Sequence, residues 1–117
     1  MVLTLSHLQK NMINQLGKST PEEKEILNIL LEECAEVIQA VSKILRFGFD
    51  SCHPSNLEYT NREHLTEELG DLYCIMNLLS QKTIVAREDI INYANKKIDK
   101  LKKYSDIDLK GVYVDAL

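Results

Sequence analysis

The chain has 117 residues, of which 44% are hydrophobic and 27% charged, values of an ordinary globular domain rather than a disordered or membrane-embedded one. A net charge of −4 argues against a protein that holds DNA or RNA through phosphate contacts, and no apolar run reaches membrane length. Cys34, Cys52 and Cys74 form neither an even disulfide set nor a Cys-x-x-Cys metal pair. With no basic start and apolar run in Met1 to Lys10, they point to a soluble protein of the reducing cytoplasm.

Pattern and punctuation divide the chain into four helices and a tail, with 4 Gly and 2 Pro and few alternating runs, so the expected class is all-α around one compact core. Leu5, Leu8, Met12, Ile13 and Leu16 fall at helical spacings over Thr4 to Leu16, with Gly17 as the stop. Thr20, Pro21 and Glu23 then mark the start of a long helix, which runs from Glu22 to about Phe47 and ends at Gly48. Its apolar face is read through Leu27, Leu30, Cys34, Val37, Val41 and Ile44.

Gly48 to Tyr59 breaks every periodicity and is expected as a surface loop, with a substrate-facing lid as one use for it. A second capping box, Thr60-Asn61-Arg62-Glu63, opens a helix that carries Leu65, Leu69, Leu72, Met76 and Leu79. After a break at Gln81 to Ala86, a fourth helix follows from Arg87 to about Tyr104 with Ile90, Ala94, Ile98 and Leu101 on one side. A domain over 1–104 and a tail over 105–117 result. In the tail, Val112-Tyr113-Val114 suits a short extended piece on the body or on a neighbouring subunit.

Some acids occupy places that an amphipathic helix reserves for apolar residues. On the long helix Glu33 falls inside the edge of the apolar face and Glu36 one step further round, whereas Glu32 sits on the polar side with Gln39 and Lys43. On the third helix Glu68 projects between Ile75 and Leu79, and Asp71 follows on the same side. Acid pairs at this spacing are common on solvated faces. Two inward pairs on two helices are different, because buried carboxylates need a positive partner to stay ionised. A divalent cation such as Mg²⁺ or Mn²⁺ meets that need with hard oxygen ligands. A partly solvated groove, or pairing with Arg46, Lys97 and Lys100, is the competing solution. His7, His53 and His64 have no triad or metal spacing among themselves and are assigned no role, and Cys52-His53 is too short to make a metal site.

Leu31-Glu32-Glu33-Cys34-Ala35-Glu36 followed by Glu67-Glu68-Leu69-Gly70-Asp71-Leu72 resembles the MazG-like all-α nucleoside triphosphate pyrophosphohydrolases of the small phage and bacterial type. These carry Glu-Glu-x-x-Glu on one helix and Glu-x-x-Asp on the next. The likeness extends over about Ile26 to Tyr104. It implies a four-helix-bundle-like fold completed by association into a homodimer or a dimer-based tetramer, with sites near subunit interfaces.

By the same resemblance, Glu33, Glu36, Glu68 and Asp71 are metal ligands for Mg²⁺, with Mn²⁺ as a substitute, and Glu32 and Glu33 belong to the catalytic set. Lys43, Arg46 and Phe47 border the nucleotide, while Lys97, Lys100 and Tyr104 near the end of the final helix face its phosphates. The implied reaction is attack of a metal-activated water on the α-phosphorus, with Glu32 placed to accept a proton and pyrophosphate as the leaving group. Such an enzyme serves nucleotide house-cleaning or the adjustment of a deoxynucleotide pool. A hydrolase of a related pyrophosphate such as phosphoribosyl-ATP, and a non-catalytic helical module whose acids pair with a basic partner, are the alternatives. A di-iron centre fits less well, because neither helix offers the Glu-x-x-His that such centres use.

Overall fold

The structure, a computed structural model, describes residues 4, 6–15 and 17–116. It contains α1 (His7–Gln15), α2 (Pro21–Phe47), α3 (Asn61–Gln81) and α4 (Arg87–Tyr104), and no strand among the described residues, as the sequence predicts. On the expected first helix, Leu8 and Met12 are exposed; Leu5, Leu16 and the Ile13 side chain lie outside the described residues.

The helix starts obey local chemistry. Thr20 Oγ1 accepts from Glu23 N at 3.1 Å while the Glu23 carboxylate accepts from Thr20 N at 3.1 Å, a complete capping box. At α3 only half of the expected box forms: Thr60 Oγ1 accepts from Glu63 N at 3.2 Å, and the Glu63 side chain does not reciprocate. Gly48 ends α2 at φ 95°, a conformation that side chains rarely adopt, and its N–H still donates to Ile44 O.

α2 and α3 form an antiparallel hairpin and are the only pair of helices packed along their lengths among the described residues. Its open end is pinned by Lys82 Nζ, 2.6 Å from Glu22, and filled by Ile26, Ile75 and Leu79, against which Ile29, Leu30, Leu78 and Ile84 pack. At the other end the connecting loop is tied down by Asn61 N donating to Ser51 O, Arg62 N to Phe49 O, and an ion pair between Arg62 and Asp50 at 3.1 Å. The Arg62 guanidinium holds the Asp50 carboxyl below its ordinary range.

Two expectations need correction. The face of α2 that packs on α3 runs through Ile26, Leu30, Glu33, Val37, Ala40 and Ile44, while Leu27, Cys34 and Val41 lie exposed beside Leu31, Ile38 and Leu45. The apolar sector of α2 is wider than one partner helix can cover. On α3 the expected line is buried at Leu79 and half-buried at Leu65, Leu72 and Met76, while Leu69 is 46% exposed.

Nor does the chain close around one compact core. Its radius of gyration is 20.6 Å and its extents are 70 × 39 × 24 Å, against about 13 Å for a compact domain of roughly this length. Neither α1 nor α4 packs along the hairpin, and α4 contains no buried residue. The tail takes up neither helix nor strand and folds back on α4. There Asn95 clamps Val114 with both halves of its amide, donating to Val114 O at 2.7 Å and accepting from Val114 N at 2.8 Å, and Leu109 is buried.

Candidate active site

Between the apolar end of the hairpin and its loop end, the packed faces of α2 and α3 bring four acids together. One carboxylate oxygen each of Glu33, Glu36, Glu68 and Asp71 lies within 4.8 Å of the others. The i, i+3 spacing on each helix places its pair on one side, and the antiparallel register sets the two pairs opposite each other. Glu68 is the buried member at 9% exposure, Glu33 is half-buried, and Glu36 and Asp71 open the cluster to solvent.

The crowding of acids shows in the electrostatics. Burial, followed by the charges of Glu36 and Asp71, pushes the Glu33 carboxyl above its ordinary value. Glu68 is raised first by a hydrogen bond with the Glu36 carboxyl and then by burial, against a smaller opposing effect from His64. When these acids are ionised, Glu33 Oε2 and Glu68 Oε2 are buried without a hydrogen-bond donor.

The cation pairing considered from sequence does not occur. None of the ion pairs among the described residues joins Arg46, Lys97 or Lys100 to these acids, and Arg46 instead lies over the Phe47 ring, 5.2 Å from its centroid. Four carboxylates with two orphaned oxygens and neither thiolate nor imidazole among the donors suit a hard divalent cation. Glu32 is exposed on α2 outside the cluster, near enough for its charge to act on Glu33.

His64, which the sequence reading left without a role, is part of the site. It stands one turn before Glu68 on α3, and its Nε2 lies 3.1 Å from Glu68 Oε1, half-buried and tilted against the Tyr59 ring at 5.9 Å between centroids. Tyr59 in turn donates to Glu67, which pushes its phenol up to about 12. The missed signal was the spacing: histidine at i−4 from an inward acid must share that acid's face.

Beyond His64 the groove widens into a cavity of about 390 Å³, between the end of α2 and the loop, with Lys43, Phe47, His53, Tyr59, Asn61 and His64 among its walls. Two of the sequence-predicted substrate residues, Lys43 and Phe47, therefore meet there, and Arg46 is attached through Phe47. Lys97, Lys100 and Tyr104 are exposed on α4, away from the α2–α3 packing.

A family model described as the MazG nucleotide pyrophosphohydrolase domain matches residues 21–105, a span from the start of α2 to the end of α4. No curated protein and no solved structure matches the chain significantly. Among the described residues no helix is long and apolar enough to cross a membrane.

Proposed function

The chain belongs to the MazG nucleotide pyrophosphohydrolase family, and from that premise we propose that it hydrolyses a ribo- or deoxyribonucleoside triphosphate to the monophosphate and pyrophosphate with Mg²⁺ as cofactor. The observation that carries this reading is the convergence of Glu33, Glu36, Glu68 and Asp71 within 4.8 Å, with two of their buried oxygens lacking a donor. A divalent cation held by these carboxylates supplies charge neutralisation on the phosphate oxygens and a water of lowered pKa.

The chain's own residues do the remaining work. His64 contacts Glu68 at Oε1, and Oε2, buried without a hydrogen-bond partner, would be the oxygen left for the cation, as where a neighbour orients a metal-binding group. Glu32, exposed beside Glu33, would take the proton of the attacking water. Lys43, Arg46 and Phe47 receive the substrate from the end of α2. Attack at phosphorus needs no serine, cysteine or histidine nucleophile.

Lys97, Lys100 and Tyr104 contribute through association. α4 does not pack on its own chain's hairpin, and α2 leaves Leu31, Ile38 and Leu45 at 70%, 66% and 82% exposure. An elongated chain with such a stripe is stabilised by a second copy, which covers the apolar surface and brings the α4 lysines towards an acid cluster. The working form is a homodimer or a dimer-based tetramer in the cytoplasm.

The test is pyrophosphate release from a panel of ribo- and deoxyribonucleoside triphosphates with Mg²⁺, Mn²⁺ or EDTA. Metal-dependent release of pyrophosphate with the matching monophosphate is expected. Release of single phosphate, or turnover indifferent to EDTA, overturns the reading. In light scattering, Ile38→Asp with Leu45→Asp is expected to turn oligomers into monomers; an unchanged mass would sink the proposed interface.

A further inference from the structure

Thr60 caps α3, so Tyr59 is the residue just before the cap and His64 the fourth residue of the helix. A side chain before a cap commonly packs on the fourth helical residue and fixes the angle at which the chain enters the helix. Here both partners are rings, tilted at 49° with 5.9 Å between centroids. The staple has more to fix than usual, because Glu63 leaves the capping box half-made. Tyr59 is itself seated by its neighbours, Thr60 bridging to Cys52 and Asn61 N donating to Ser51 O at 2.9 Å.

What sets this staple apart is the other contact of its helical member. His64 Nε2 lies 3.1 Å from Glu68 Oε1, and Nδ1 has no hydrogen-bond partner among the described residues. An imidazole held at one nitrogen swings about that contact unless a wall stops it, and the Tyr59 ring is such a wall.

The bond made by the phenol is as selective. Glu67 and Glu68 stand three and four residues beyond His64, so both share the side of α3 that Tyr59 covers. The hydroxyl donates to Glu67, the exposed one, and not to Glu68. A donor on Glu68 Oε2 would occupy the oxygen that is buried without a partner. Spent on Glu67, the phenol grips α3 and leaves that oxygen alone. The same bond, more than burial, pushes the phenol up to about 12, so it remains a donor at neutral pH.

We propose that Tyr59 is a positioning residue for the acid cluster: stapled on His64 and gripping Glu67, it holds the imidazole on Glu68 Oε1 and keeps Oε2 for the cation. The proposal rests on the reading of the four acids as a divalent-cation site. Tyr59 thereby acts on metal affinity although it hydrogen-bonds to none of the four.

The experiment titrates the full chain, without nucleotide, with Mn²⁺ alone and follows the paramagnetic resonance of the free ion, with the melting temperature in EDTA measured beside it. Binding by the parent that is lost in Glu68→Gln identifies the site. Tyr59→Ala, which removes both wall and grip, is expected to weaken Mn²⁺ binding about tenfold, the scale on which partners of ligand residues act. Tyr59→Phe keeps the wall and loses one hydrogen bond, so about threefold is expected; this variant carries the test where Tyr59→Ala does not fold. Glu67→Leu should match Tyr59→Phe. Glu67→Gln, which still accepts from the phenol, should stay within about twofold of the parent, an exposed charge being well screened.

A merely structural Tyr59 would lower the melting temperature and leave the affinity of the folded protein alone. Parent-like Mn²⁺ affinity in folded Tyr59→Ala, or in Tyr59→Phe where the former does not fold, overturns the proposal. So does a loss in Glu67→Gln as large as in Glu67→Leu, which would trace the effect to charge. Either result, beside Mn²⁺ binding that needs Glu68, leaves the cation site standing and removes Tyr59 alone. No Mn²⁺ binding by the parent, or binding indifferent to Glu68→Gln, overturns both. Tyr59-dependent binding without pyrophosphate release from any nucleotide keeps the role of Tyr59 and removes the reaction.

Discussion

The α2–α3 hairpin and the α4–tail unit are built from similar amphipathic patterns but finish in different states. In the hairpin, Ile26, Ala40, Ile44, Ile75 and Leu79 are buried, and the same packing that hides them forces four acids into one groove. In the other unit Ile90, Ile91, Ala94, Ile98 and Leu101 of α4 reach only half-burial, Leu109 of the tail is buried, and Asn95 clasps the tail at Val114. An apolar stripe is therefore a demand for a partner and does not say which partner will meet it.

The largest expected effect falls on the hairpin's acids. Glu68→Gln should lower metal-dependent turnover by at least about a hundredfold, while its melting temperature in EDTA equals or exceeds that of the parent, because a buried charge with one oxygen lacking a donor, amid other acids, has gone. A folded Glu68→Gln protein with full activity would remove the acids from the mechanism. The matching change in α4, Lys97→Gln, should cost far less turnover, about tenfold, and its effect should vanish in an enforced monomer that has already lost the α4 contribution.

Stability should divide in the same way. Ile75→Ala or Leu79→Ala, in the hairpin core, is expected to cost about 2–4 kcal/mol by denaturant titration, and Ile98→Ala in α4 about 1 kcal/mol or less in the monomeric variant. Equal costs would mean that the two units share one core.

pH gives a signed test of the acids. Glu33 and Glu68 have carboxyls raised above an ordinary 4.5, so their contribution to stability is present below that value and is lost as pH rises through the raised values. Metal-free protein should therefore lose melting temperature as pH climbs above about 4.5, and saturating Mg²⁺ should flatten the decline. Asp50, lowered by Arg62, acts oppositely and weakly, its contribution being lost as pH falls below 3.8. A metal-free melting temperature that rises steadily over the same range would contradict the electrostatic account.

The smallest effect belongs to the tail. Asn95→Ala should speed amide exchange at Val114 and cost about 1 kcal/mol locally, with the exchange of Ile75 and Leu79 unchanged.

Much of this molecule was legible from residue order. Capping chemistry at Thr20 and Thr60, the stop at Gly48 and the 3.6-residue period placed α2, α3 and α4 within a residue or so, because these signals act within one helical turn. The acids were found by the same local rule, as charges standing on faces that the period marks as inward. The half-made box at Thr60 shows the limit of that rule: a side chain that could cap has other places to go.

Beyond one turn, the residue pattern left choices open. Nothing local told whether the α2 face centred on Glu33 or its neighbour through Cys34 and Val41 would meet α3, or that His64 would close on Glu68 beside a cavity. Sequence alone determined the class, the helices and which acids stand out, since propensity, capping and periodicity are short-range. The tertiary structure decided the register that brings Glu33, Glu36, Glu68 and Asp71 within 4.8 Å, the cavity beyond them and the separation of α4, since these depend on which of several apolar faces wins the partner.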